Sequence, residues 1–285
     1  MMYDKILIGY DESEYSMAAV KEIAAWVSRH GGDASLIHGV YFDEEEFGIR
    51  PSLLKERVLK GEGACYRAQV VAADFGIPMD AVVREGDPPD VIVDSAIKNN
   101  SDLIALGTYG RKGLSRMIIG SVTAKVIAGA PCDVLVVKRP CGDCTGKYEK
   151  ILVAYDGSPS SSNALKTACD LARSDGAEVT ALYIIPLYQE MVNFFKTDGI
   201  NKMLVKEANK ILDQAKTIGS EAGIDVNIQL DEGHPAEKLV NTANLNHSDL
   251  IVMGSYGWHG INKTLIGSTA ERVIMLADGP VLVAR

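Results

Sequence analysis

Residues 254–268 read GSYGWHGINKTLIGS, and residues 107–121 read GTYGRKGLSRMIIGS. The two stretches carry glycine at the same offsets, G-x2-G-x9-G, and each closes on Ser. An apolar run precedes each one, DLIAL at 102–106 and DLIVM at 249–253, and a stretch of helical periodicity follows. The pattern is that of a loop leaving the carboxyl end of a strand, where open α/β sheets bind ligands. Glycine there gives the chain access to positive φ and lets backbone N–H groups come close to a ligand. A serine at a helix start adds a hydroxyl beside the positive end of the helix dipole. The combination suits a phosphate chain. It is not a Walker A loop, since no G-x4-G-K-[ST] occurs, and no G-x-G-x-x-G follows the first strand.

The similarity extends far beyond the glycines. YDKILIGYDES at 3–13 matches YEKILVAYDGS at 148–158, and VREGDPPDVIVDSA at 83–96 matches LDEGHPAEKLVNTA at 230–243. NNSDLIALGTYG at 99–110 matches NHSDLIVMGSYG at 246–257, and PCDVLVVKR at 131–139 matches GPVLVAR at the C-terminus. The offset is 145 early in the repeat and 147 later, a domain-sized period rather than a solenoid repeat. The sequence therefore predicts domain 1 at 1–139, a linker at 140–147 and domain 2 at 148–285.

Within each copy, Val-, Ile- and Leu-rich runs alternate with stretches of helical spacing. In copy 1, KILIGY, ASLIHGVYF, MDAVVRE, DLIALGT and DVLVVK read as five strands. Residues 14–30, 52–74, 89–99 and 116–129 read as helices. Near-continuous apolar strands are covered on both faces, and alternation with helices requires a parallel sheet. The predicted fold class is α/β, two tandem doubly wound domains, each a five-stranded parallel sheet flanked by helices.

Composition excludes several functions. Net charge is −9, which disfavours nucleic acid as a partner. No apolar run approaches the length of a membrane span. The N-terminus MMYDKILIGYDES carries acids where a signal peptide has a basic segment, so a cytoplasmic location is expected. The five cysteines do not form a secreted disulfide framework.

These motifs resemble those of the universal stress protein family, and the chain is similar to a tandem-repeat member of its ATP-binding type. The resemblance rests on G-x2-G-x9-G-[ST] in both copies and on the acid closing the first strand, Asp11 and Asp156. It implies strand order 3-2-1-4-5 and ATP, with Mg2+, as ligand. By resemblance, Asp11 and Asp156 accept hydrogen bonds from the ribose hydroxyls, as a carboxylate facing a diol can. Adenine falls to the main chain of Gly39 and Ile184, with Leu106 and Met253 lining its pocket. Phosphates fall to Gly107, Gly110, Gly120 and Ser121, with Arg111 beside them, and to Gly254, Gly257, Gly267 and Ser268. The function implied is a stress-response sensor or regulator with slow hydrolysis or none, acting through an unknown protein partner. No residue presents itself as catalytic. An ATPase, an adenylyl-transferring enzyme and a nucleotide-free scaffold stay open as alternatives. Pairing of the two last strands within the chain is expected to close exposed sheet edges, and a homodimer is a further arrangement.

The copies differ. Copy 1 reads DES where copy 2 reads DGS, and GRKG where copy 2 reads GWHG, placing Arg111 and Lys112 opposite Trp258 and His259. Cys141 and Cys144 in the linker have C-x-x-C spacing, which is either a metal half-site or a pair of plain thiols. Cys65 and Cys169 fall at helical positions and are read as core.

Overall fold

The computed structural model describes residues 2–41, 51–108, 119–138, 145–186, 198–256 and 266–285. It divides into two compact units, Met1–Lys147 and Tyr148–Arg285. The first runs β1 (Lys5–Gly9), α1 (Glu14–His30), β2 (Asp33–Val40), α2 (Pro51–Ala73), β3 (Asp80–Glu85), α3 (Pro88–Asn99), β4 (Leu103–Gly107), α4 (Ser121–Gly129) and β5 (Asp133–Val137). The second repeats it as β6 (Lys150–Ala154), α5 (Pro159–Asp175), β7 (Glu178–Pro186), α6 (Asp198–Glu221), β8 (Val226–Gly233), α7 (Pro235–Leu245), β9 (Leu250–Gly254), α8 (Ser268–Leu276) and β10 (Val281–Ala284).

Strand order is β3-β2-β1-β4-β5 in the first unit, and β8-β7-β6-β9-β10 in the second. Within each unit the pairs are parallel, as β1 with β2 and β4, and β6 with β7 and β9. This is the 3-2-1-4-5 order and the α/β class expected from the sequence. The physical reason lies in the central strands. Ile6, Leu7 and Ile8 are successive residues exposed by only 1%, 2% and 0%, so both faces of β1 are covered. A parallel neighbour then needs a crossover helix each time. The outer strand β3 alternates instead, and Val82 is half exposed.

The repeated SDLI motif works at the amino end of the sheet. The Asp102 carboxylate accepts from the amides of Asp4 at 2.7 Å and Lys5 at 3.1 Å. Asp249 accepts from Glu149 at 2.7 Å and Lys150 at 3.1 Å. Burial pushes the Asp249 carboxyl up, and these amides hold it partly back. Each aspartate thus ties the start of the central strand to the start of its neighbour.

One boundary differs from the sequence expectation. The helix expected over 116–129 begins only at Ser121, because Gly120 is its N-cap and Ile119 is buried in non-helical chain. Cys65 and Cys169 are core residues, exposed by 2% and 0%. Burial pushes both thiols up to about 11, with Glu12 and Glu62 adding to Cys65 and Asp170 to Cys169. At pH 8 a thiol of that kind is thiolate in about one part in a thousand, and the thiolate is the nucleophile. Peptide-level mass spectrometry after iodoacetamide treatment at pH 8 is expected to find both unmodified in folded protein and both modified in denaturant. Modification of the folded protein at the rate of free cysteine contradicts this packing.

Candidate functional site

The β1–α1 turn is built around Asp11. Its Oδ1 accepts from the Ser13 amide at 3.1 Å and the Ser13 hydroxyl at 2.6 Å. Ser13 caps α1 by accepting from the Ser16 amide at 3.1 Å, and the Asp11 amide donates to Ser16 Oγ at 3.3 Å. The second unit repeats the arrangement. Asp156 Oδ1 accepts from the Ser158 amide at 2.9 Å, Ser158 Oγ accepts from the Ser161 amide at 3.2 Å, and the Asp156 amide donates to Ser161 Oγ at 3.3 Å. Each half-buried carboxylate is therefore held in a fixed orientation at the carboxyl end of the central strand. The serines were legible as D-x-S-x-x-S at 11–16 and 156–161, a second repeated motif that the sequence reading passed over.

The glycine loops leave the neighbouring strands. A Cβ on Gly107 would lie 2.6 Å from the Ser16 amide nitrogen and 2.7 Å from Tyr15 Cβ. A Cβ on Gly254 would meet Ser160, 2.9 Å from its Cβ and 3.0 Å from its carbonyl carbon. Neither glycine has a positive φ. The sequence argument from conformational freedom is corrected here: these two glycines are required because the first turn of α1 or α5 lies directly on them.

The third glycine of each motif closes the loop. The Gly120 amide donates to Thr108 O at 3.1 Å, and the Gly267 amide to Ser255 O at 2.9 Å. Thr108 is fixed in turn, its amide and hydroxyl both donating to Val137 O at 3.0 Å. The Thr123 hydroxyl reaches back to Gly107 O at 2.9 Å. Gly120 and Gly267 are the N-caps of α4 and α8, with φ of −57° and −64° and no side-chain cap bond. A helix start without a side-chain cap leaves its first N–H groups and the positive dipole end to solvent or a ligand. Ser121 and Ser268 are the exposed first residues of these helices.

Leu106 and Met253 are core, exposed by 3% and 4%. Leu106 packs with Ile92 over Gly9. Gly39, in β2, lies under α3: a Cβ there would come 2.9 Å from Pro88 Cα. Ile184 is half-buried in β7, in register with Asp231 of β8. Its neighbour Tyr183 has a phenol pushed up by burial and by the Asp156 charge, so that ring lies beside the second turn. Gly110, Arg111 and Gly257 lie outside the described residues, as do Lys112, Trp258, His259 and the linker pair Cys141 and Cys144. Among the described residues there is no group of three or more His, Cys, Asp or Glu arranged to hold a metal ion. Nor does any described helix have the length and apolarity to cross a membrane.

The two turns differ at their second residue. Gly157 has φ of 75°, and Glu12 holds nearly the same left-handed conformation at 67°. The Glu12 carboxylate pairs with Arg67 of α2. In the second unit Ile211 of α6 faces this position, 3.0 Å from where a Gly157 Cβ would lie.

The universal stress protein family model matches residues 2–138 and again 147–285. The chain belongs to the universal stress protein family, as a tandem two-domain member of these stress-response proteins. It is 26% identical over 294 residues to a universal stress protein of Mycolicibacterium smegmatis, covering 98% of this chain and 96% of that one. A universal stress protein of Methanocaldococcus jannaschii is 36% identical over 140 residues, 48% of this chain and 82% of its own length. The crystal structure of a universal stress protein from Archaeoglobus fulgidus superposes with a TM-score of 0.73 at 20% identity, covering 99% of this chain and 98% of that one.

Replacing Gly107 or Gly254 by Ala is expected to destabilise its unit by about 1–3 kcal/mol, the usual cost of overpacking. Gly157→Ala costs about 1–2 kcal/mol through its left-handed backbone instead. Denaturant melts of the three variants check this, and a neutral Gly107→Ala would mean that α1 does not rest on β4.

Proposed function

We propose that the chain is an ATP-binding regulator, with one nucleotide site at the carboxyl ends of β1 and β4 and a second at those of β6 and β9. The observation that carries this reading is a fixed carboxylate turn packed, through Gly107 or Gly254, against the strand whose loop returns to a helix start without a side-chain cap, twice in one chain. The chemistry of the parts is complementary to a nucleotide. An oriented carboxylate accepts from a ribose diol. A helix N-terminus favours an anion through its N–H groups and its dipole.

In this reading Asp11 and Asp156 hold the ribose, and the amides at Ser121 and Ser268, with the two hydroxyls, face the phosphates. Gly120 and Gly267 serve by bringing those serines into place, since their own amides are used at the loop base. Gly110, Arg111 and Gly257 are proposed as further phosphate neighbours. Gly39 and Ile184 offer main-chain groups at the adenine end. The proposal is binding with slow turnover, and Mg2+ enters with the phosphates. Nucleotide occupancy then tightens the tie between the β1–α1 turn and α4 and alters the surface offered to a protein partner.

Calorimetric titration of ATP with Mg2+ into nucleotide-stripped protein is expected to give two sites. Gly120→Val removes one and Gly267→Val the other. Asp11→Ala and Asp156→Ala each weaken their own site about tenfold to a hundredfold, the range for a hydrogen bond to a charged group. A well-folded protein that takes up no nucleotide overturns the reading.

A further inference from the structure

We propose that the Glu12–Arg67 ion pair sets the ligand preference of the first site, so that its ribose end depends on a charge pair that the described residues of the second turn do not repeat. The inference rests on the nucleotide reading above and adds a specificity-determining residue, Arg67, that lies outside every motif.

The first observation is a strained residue. Position 12 is left-handed, and the second unit makes the same turn with Gly157. Glutamate is unfavourable in that conformation, and its presence there is a local cost next to a candidate site. The second observation is its partner. Arg67 reaches from α2 to the Glu12 carboxylate, while α6 presents Ile211 to Gly157. One unit thus has glutamate against arginine where the other has glycine against isoleucine.

The third is electrostatic. Glu12 adjoins Asp11 in the chain, and a phosphate-bearing ligand would meet two carboxylates at this end. Arg67 cancels one of them. Burial pushes the Tyr10 phenol up, Glu12 pushes it further, and Arg67 opposes it, so the two charges act on one small region. Arg67 is 61% exposed and Glu12 31%, so the pair adds little to folding. Its effect falls on the ligand. Arg67 neutralises Glu12 and makes the first site tolerant of an anionic nucleotide. Without it the site prefers an uncharged nucleoside. The second site needs no such partner.

The test reads the first site alone, in a Gly267→Val background, by calorimetry with MgATP and with adenosine. The parent is expected to bind MgATP, which decides the nucleotide reading by itself. Arg67→Ile is expected to weaken MgATP about tenfold, the effect of one uncompensated charge near the ligand, and adenosine less than about twofold. Adding Glu12→Gly restores MgATP to within about threefold of the parent, the non-additivity of a directly coupled pair. Raising the salt concentration narrows the Arg67→Ile defect, because the interaction is screened. Thermal melts confirm that all variants are folded. Equal MgATP affinity in the parent, Arg67→Ile and the double variant overturns the inference while leaving the nucleotide reading intact. A parent that binds nothing ends both.

Discussion

The first turn of α1 rests on Gly107, and that of α5 on Gly254, with no room for a methyl group between them. The rest of the candidate site depends on this contact. It places the carboxylate turn that precedes each helix beside the end of the adjacent strand. It also sets where the glycine loop must begin. The serine network then orients the aspartate, and the loop is tied at its base to the strand it leaves. A side chain at Gly107 would lift the helix, carry Ser13 and Ser16 with it and separate the two halves of the site. Close packing, rather than a special backbone conformation, is what holds the arrangement together.

Duplication lets one unit serve as a control for the other. What both share is the D-x-S-x-x-S turn, the glycine under the helix, the loop-base hydrogen bond and the helix start without a side-chain cap. Among the described residues the differences include Glu12 with Arg67 against Gly157 with Ile211, Gly39 against Ile184, and the Thr123 hydroxyl on Gly107 O, where the second unit has Ala270. The shared features are geometric, and the first and last of these differences are electrostatic or polar.

Much of this was legible in the sequence. Central strands with successive buried residues, such as Ile6, Leu7 and Ile8, announce themselves as unbroken apolar runs, while their order in the sheet came from the family resemblance. Asp11 and Asp156 were picked out through the family resemblance, as the acid that closes the first strand of each copy. The start of α4 was misread because Ile119 is buried, and apolar periodicity does not distinguish helix from buried loop. Arg67 was invisible for a different reason. It lies 55 residues from Glu12 on an exposed helix face, and nothing in its neighbours marks it. Such pairs exist only once the fold is known.

The third glycine of each motif has a structural task that its sequence does not announce. Read as sequence, Gly120 and Gly267 supply N–H groups to a phosphate. In the structure those amides are bound to Thr108 O and Ser255 O, and both residues have ordinary negative φ. Their lack of a side chain still matters, because a Cβ on Gly267 would lie 3.2 Å from Ser255 O and 3.4 Å from Tyr256 Cα. A methyl group at Gly267 would fit only if the backbone at 255–256 gave way by a few tenths of an ångström. Glycine at this position serves the base of the loop, its amide held by the residue that follows the strand, and the helix begins at the next residue, Ser121 or Ser268. The Gly-Ser pair is a single unit in which the first residue closes the loop and the second starts the helix, exposed.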